Sequence, residues 1–204
     1  MARPAKFDRN EAVELAMNEI WRDGFEANSV KALSEKLGIT RSSFYNAFGS
    51  REALFREVLD LYSSQSTDRG LDDATPGKPV RQILTETFRA VCKARASDPE
   101  GRGCLAINCV AELCGTHEEL GTLLEHAVLG SATRIERLIE RAIGQNEIAS
   151  DVDPHTLALA LQNLLVGLNV MSQVVRGEQE LWNAAKITLK GLNMLEEDLG
   201  HENI

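Results

Sequence analysis

Nothing in this chain carries the mark of an enzyme, a membrane span or a disulfide-stapled domain. No run reaches the ~18 apolar residues that a helix needs to cross a bilayer. The opening stretch, MARPAKFDRNEA, has basic residues but no apolar h-region. No secretory signal is therefore expected, and the expected location is cytoplasmic. No Gly-rich phosphate loop follows a strand-like stretch, and the GxSxG and HExxH signatures are missing. Ser, His and Asp all occur, yet no spacing singles out a triad, so no catalytic residues and no cofactor are expected. Cysteine is sparse, four in 204 residues, and reads as thiols rather than staples. With 43% apolar and 26% charged residues, the chain can build a core without cross-links.

What is present concentrates in Ser29 to Arg51, SVKALSEKLGITRSSFYNAFGSR. Ser29 is placed to cap a helix over Val30 to Leu37, and Gly38 follows its last apolar residue, where a left-handed residue ends a helix. Thr40 is placed to cap a second helix, Arg41 to Phe48, with Ile39 and Phe44 spaced as a hydrophobic staple. Two short helices around a Gly-containing turn predict a helix-turn-helix. At 100° per residue the second helix is two-sided. Thr40, Phe44, Ala47 and Phe48 share the face expected against a core. Arg41, Ser42, Tyr45 and Asn46 share the other, which offers a guanidinium, a hydroxyl, a phenol and an amide to phosphates or base edges. A merely solvated face on a small helical hairpin is the competing reading.

These residues resemble the N-terminal domain of TetR-family transcriptional regulators. The resemblance runs from about Asp8 to Leu59 and rests on the order G-F, S-V, L-G-I-T, S-F-Y-N-A-F and S-R-E-A-L-F. The rest of the chain is similar to the family only in length and all-helical pattern. The resemblance implies an all-α chain, divided into a helix-turn-helix DNA-binding domain (1–50) and a helical effector-binding and dimerisation domain (51–204). It implies a regulator, most often a repressor, that binds a palindromic operator in double-stranded DNA as a homodimer and responds to a small-molecule effector. Where such proteins often carry His and Tyr after the first Tyr of the recognition helix, this chain has Asn46 and Ala47. Its base preference cannot be borrowed. The expected contacts are Arg41 and Tyr45 on bases or phosphates, Ser42 and Asn46 on bases, and Lys31, Thr40 and Arg51 on phosphates.

A net charge of −9 by itself opposes a DNA partner, but its distribution does not. Residues 1–60 hold 9 Lys+Arg and 10 Asp+Glu, whereas residues 61–204 hold 13 and 21. Arg3, Lys6, Lys31, Lys36, Arg41 and Arg51 fall in the N-terminal arm, Met1 to Phe7, and around the helix-turn-helix. A local basic surface binds phosphate while a distant body stays acidic.

Along the chain, Asp8 with Glu11 reads as a capping box for a first helix to Asp23, with Val13, Ala16, Met17 and Ile20 facing inward. Ser50 caps a fourth helix, with Ala53, Leu54, Val58 and Leu61 inward, ending near Thr67. Asp68 to Pro79, DRGLDDATPGKP, reads as a linker. Ile83, Leu84, Thr87, Phe88 and Val91 form the apolar side of a helix over Val80 to Ala96. A loop (Ser97 to Gly103), a short helix from Cys104 to Leu113, and a long helix opened by a Thr116–Glu119 capping box and ending near Ile143 come next. Asp153 and Pro154 open a helix to about Arg176 that is apolar almost all round, and Leu181 to Leu199 forms the last. A helix apolar on most of its circumference needs burial on two sides. The last two long helices are therefore the expected dimer surface, as the resemblance also implies.

Cys104, Cys109 and Cys114 recur every five residues, a spacing that steps 140° and spreads them around a helix. Cys114 and His117 form a C-x-x-H that lacks a second pair, so no metal site is expected. Cys104 lies near a helix N-terminus, which favours a thiolate, and an electrophile- or redox-sensing regulator is the alternative function. A DNA-independent small-molecule-binding protein is the other. Candidate effector contacts are Phe88, Cys104, Asn108, His126, Asn163 and Asn169, polar anchors in an otherwise apolar body.

Overall fold

In the computed structural model, residues 8–73 and 75–197 are described, and they form nine α-helices and one 3-10 turn with no strand among them. The arm residues Arg3 and Lys6 lie outside the described residues. The helices are α1 (Arg9–Asp23), α2 (Val30–Leu37), α3 (Arg41–Phe48), α4 (Arg51–Ser64), α5 (Val80–Ala96), α6 (Leu105–Leu113), α7 (Glu118–Gly144), α8 (Pro154–Met171) and α9 (Glu178–Gly191). The chain is all-α, as expected.

The capping residues explain most of these boundaries. The Asp8 carboxylate accepts from the Asn10 and Glu11 amides, Ser29 from Ala32, Thr40 from Ser43, Ser50 from Ala53, and Asp153 from Thr156. Each satisfies an amide that the first helical turn leaves without a partner. Three helices end in the same left-handed motif. Gly38, Asn146 and Asn193 have φ of 65°, 58° and 58°. At each, the next residue's amide reaches back to the preceding turn: Ile39 to Ser34, Glu147 to Ala142 and Met194 to Leu189. This Asn turn closes the last helix at Gly191, well short of the expected Leu199, which lies outside the described residues.

Packing divides the chain into two units. One contains the chain up to Ser66 together with Cys104–Leu124; the other contains Thr67–Gly103 and the chain from Glu125 onward. In the first, Val13, Ala16, Met17 and Ile20 of α1 meet Phe25, Leu33, Phe44 and Phe48 in a core with Leu54, Phe55, Val58, Leu59 and Tyr62 of α4. Leu105, Cys109 and Leu113 of α6 close the same core. The sequence reading divides the domains at 50/51. The packing boundary lies past α4, because α4 gives its whole apolar stripe to this core. Phe55, Leu59 and Tyr62 are buried there, while the expected Leu61 and Ala53 are only half-buried.

In the second unit, Ile83, Leu84, Thr87, Phe88 and Val91 of α5 are all buried, as their spacing predicts. They pack with Leu161, Leu165 and Leu168 of α8 and Leu181, Ala185 and Leu189 of α9. The expected linker is built structure. Thr67–Asp72 forms the 3-10 turn, and Leu71 enters the core. Arg134 of α7 donates to Asp68 at 2.7 Å and to Asp72 at 3.2 Å, and Arg141 donates to the Asp73 and Lys78 carbonyls. Those arginines, distant in sequence, order a segment that Gly, Pro and Asp composition alone reads as loose.

Two further expectations are corrected. Thr116 does not cap α7: its hydroxyl donates to the Glu112 and Leu113 carbonyls, and His117 Nδ1 accepts the Leu120 amide instead. α8 stops at Met171, where Ser172 and the turn through Val175 replace the helix expected to reach Arg176.

Phe88 is 1% exposed within the second core. Phe88→Ala is expected to lower unfolding free energy by about 3–5 kcal/mol, the usual cost of emptying an aromatic site. Urea unfolding at fixed protein concentration checks this.

Candidate nucleic-acid interface

α3 is held from one side only. Phe44 and Phe48 are buried, with their rings 5.2 Å apart, and Ala47 is half-buried beside them. Ile39, just before the cap, packs against the same cluster, as a staple requires. Thr40, assigned to this face from its angle, is exposed. Its hydroxyl is used as the cap, within 2.9 Å of the Ser43 hydroxyl. Arg9 secures the far end: its guanidinium pairs with Glu57, reaches the Ala47 carbonyl at 3.5 Å, and lies 5.3 Å from the Phe48 ring centroid.

The opposite face is open. Arg41, Ser42, Tyr45 and Asn46 are all exposed, Tyr45 at 50%. Among the described residues their side chains form no hydrogen bond or ion pair within the protein; Tyr45 only sets its ring edge-on to Phe44 at 5.9 Å. A guanidinium, a hydroxyl, a phenol and an amide on one ridge thus keep their hydrogen-bonding capacity for something outside the molecule.

The flanking cations differ. Lys31 is 65% exposed with only Glu35 nearby, at 3.9 Å, which leaves it available to a phosphate. Lys36 is drawn into a pair with Glu19, which also holds Arg22. Arg51 sits at the α4 N-terminus as expected, but it is engaged: its guanidinium lies 4.0 Å from the Phe25 ring centroid and donates to Glu26 at 3.2 Å. Its side chain is 19% exposed. Stacking and pairing of this kind are a structural use of the cation, which sequence spacing alone does not reveal.

Glu112 of α6 reaches the turn between α1 and α2. Its two oxygens accept the Phe25 and Glu26 amides at 2.8 Å each. No motif flags this residue, because its partners lie 86 and 87 positions earlier in the chain.

Four of the six effector candidates, Phe88, His126, Asn163 and Asn169, belong to the second packing unit. Phe88 is core; Asn169 is buried and its side-chain oxygen accepts from Arg95 Nε at 2.5 Å. His126 and Asn163 are exposed, while Cys104 and Asn108 are half-buried and belong to the first packing unit. A helical spacing argument shows which residues share a helix face, not which faces meet. Among the thiols, burial pushes Cys109 up to about 12, aided by the Glu112 carboxylate, and Cys92 up to about 11, aided by Glu178. Cys104 and Cys114 are half-buried, and the Cys114 thiol donates to the Gly121 carbonyl at 3.7 Å.

The comparisons with known proteins agree with this geometry. Residues 12–58 match the bacterial regulatory proteins of the tetR family, and residues 80–188 match the tetracyclin repressor-like C-terminal domain. The HTH-type transcriptional repressor ComR of Escherichia coli (strain K12) is 27% identical over 195 residues, covering 92% of this chain and 90% of ComR. The HTH-type transcriptional repressor BdcR of the same strain is 30% identical over 105 residues, about half of each chain. Among solved structures, a cysteine-substituted form of the TetR-family regulator CifR, in complex with 26-base-pair operator DNA, superposes with a TM-score of 0.82. It is 30% identical, with 93% of this chain and 98% of that one covered. An exposed reading face on the second helix of a helix-turn-helix, followed by a matching helical body, places this chain in the TetR family of DNA-binding transcriptional regulators.

Proposed function

We propose that the protein is a cytoplasmic repressor that binds a palindromic operator as a homodimer and leaves it when a small molecule binds the helical body. The observation that carries the reading is the α3 ridge of Arg41, Ser42, Tyr45 and Asn46, exposed and unused by the fold. In this reading Arg41 and Tyr45 reach bases or phosphates, Ser42 and Asn46 reach bases, and Lys31 and Thr40 reach phosphates. Arg51 contributes through its place at the α4 N-terminus, where free amides favour an anion.

The homodimer reading rests on exposed apolar surface. Leu159, Val170 and Met171 of α8, Val174 just beyond it, and Ile187 of α9 are 38–75% exposed. Large apolar side chains gathered on one pair of helices mark a surface that a partner covers. A second copy puts two reading heads on a two-fold axis, suited to half-sites about one turn, or ~34 Å, apart. An effector releases DNA only in so far as it binds the off-DNA arrangement better than the on-DNA one.

Fluorescence anisotropy against the DNA flanking the protein's own gene, with competitor at fixed salt, tests the reading. Tight binding to a short inverted repeat supports it; binding no stronger than to random DNA sinks it. Arg41→Ala and Tyr45→Ala are each expected to cost ~1–3 kcal/mol on that operator, and Lys31→Ala to weaken all sequences alike and flatten the salt slope by about one. Wild-type affinity in both α3 variants overturns the residue assignment.

A second reading, thiol-based control, is favoured by the difference in burial among the cysteines. Cys104 is half-buried at the N-terminus of α6, whereas Cys92 and Cys109 are buried with their thiols held protonated. N-ethylmaleimide under native conditions is expected to label Cys104 and Cys114 before the other two, read by peptide mass. If alkylation weakens operator binding by wild type and not by Cys104→Ser, control through Cys104 is supported; an unchanged response in the variant removes it.

A further inference from the structure

A buried hydroxyl normally finds a hydrogen-bond partner, because leaving it without one costs free energy. Thr85 of α5, 2% exposed, follows that rule: its hydroxyl accepts the Glu196 amide at 2.8 Å. Two threonines nearby do not. Thr67, which opens the 3-10 turn, has its hydroxyl enclosed and makes no hydrogen bond with it. Thr87 of α5 is 4% exposed, and among the described residues its hydroxyl is likewise unused. Both line one cavity of about 170 Å³ between the 3-10 turn and α5. Gly70 forms part of the wall: a Cβ there would stand 2.5 Å from the Thr87 hydroxyl oxygen, so that hydroxyl fits only against a glycine. Ile83 and Ala90 supply the apolar side.

The charged residues at the same cavity are matched to one another. Lys78 donates to Asp73 at 2.8 Å and to Glu86 at 2.7 Å. These bonds hold both carboxyls below their usual range and raise the Lys78 ammonium, so all three stay charged at neutral pH. Behind them, Arg141 donates to the Asp73 and Lys78 carbonyls. Two carboxylates and two cations leave no formal charge over, so an ion of either sign finds no unmatched partner. What the fold leaves unused is two hydroxyls, each able to donate one hydrogen bond and accept two. A cavity of this size takes roughly six non-hydrogen atoms. We infer that it binds a small neutral polyol of three or four carbons, whose hydroxyls pair with Thr67 and Thr87 and whose carbon stem lies on Ile83 and Ala90. The site lies wholly within the second packing unit, and it stands apart from the operator reading because binding is measured without DNA.

The test titrates the full-length protein at neutral pH with three probes and follows the methyl NMR shifts of Thr67, Ile83, Thr87 and Ala90. The probes are glycerol; serinol, where an ammonium replaces one hydroxyl; and glycerate, where a carboxylate replaces one hydroxymethyl group. Glycerol is expected to saturate these shifts with a dissociation constant on the order of 1–10 mM, modest for six non-hydrogen atoms. Serinol and glycerate are expected to bind about tenfold more weakly or worse, since their charge leaves water for a site without a free counter-charge. Thr67→Val and Thr87→Val keep the shape and lose the hydroxyl; each is expected to weaken glycerol about fivefold, the net effect of one hydrogen bond. Thr188→Val, which removes an exposed α9 hydroxyl bonded to the Ala184 carbonyl, is expected to match wild type. Thermal midpoints are recorded for each variant, and if one fails to fold, the three probes on wild type decide. Glycerol shifts that stay linear, or folded hydroxyl variants that bind as wild type does, overturn the site. Equal or tighter binding of either ion overturns the neutral class.

Discussion

The corner at Gly24–Phe25 is where the reading head is fastened to α6. A phenylalanine ring with no exposed surface plugs the first core, and a guanidinium covers its face. The two amides on either side of the Phe25 α-carbon and its neighbour Glu26 are held by a carboxylate from α6. Hydrogen bonds to an ionised acceptor are among the stronger ones a protein makes. Here they tie a glycine-dependent turn to a helix far along the chain. α1 ends just before that point and α2 begins a few residues after it.

Electrostatics within the first unit explain how an acidic protein keeps a DNA-facing surface. Arg9, Arg22, Lys36, Arg51 and Arg56 are each matched to Glu57, Glu19, Glu26 or Glu119. Exposed pairs of this kind add little stability, but they neutralise cations that would otherwise attract any phosphate. Arg41 has no such partner among the described residues, and it stands at the start of the reading helix. Charge is thus sorted by pairing as well as by count: most of the unit's cations are engaged internally, and Arg41 stands unmatched at the start of α3. With the remaining acidic excess beyond residue 60, this favours selective over indiscriminate binding to nucleic acid.

Local signals in the sequence were legible at most helix starts, where the deciding interaction is short-range; Thr116, whose hydroxyl turns back to α6, is the exception. Ser29, Thr40, Ser50 and Asp153 cap the helices that their positions announce, and the inward sets of α1 and α5 come directly from a 3.6-residue period. The two faces of α3 were legible for the same reason. Interactions between distant segments were not. The stacking of Arg51 on Phe25 leaves no trace in spacing, Asp68 to Pro79 looks like a linker until Arg134 and Arg141 are seen to fasten it, and Glu112 carries no motif. The Asn turns at Asn146 and Asn193 lie between, since Asn tolerates the left-handed region without demanding it. Nor does spacing within one helix show which faces meet, which is what a pocket depends on.

The reading face also bears on how such a regulator changes over generations. Arg41, Ser42 and Asn46 brace nothing, and Tyr45 makes only a ring-edge contact with Phe44. Replacing them costs the fold little, so in the proposed reading selection acts on them through the operator. Phe44 and Phe48, one turn away on the same helix, have no such freedom. A helix whose buried half is constrained and whose outer half is free lets one scaffold drift from operator to operator without passing through unfolded intermediates in sequence space.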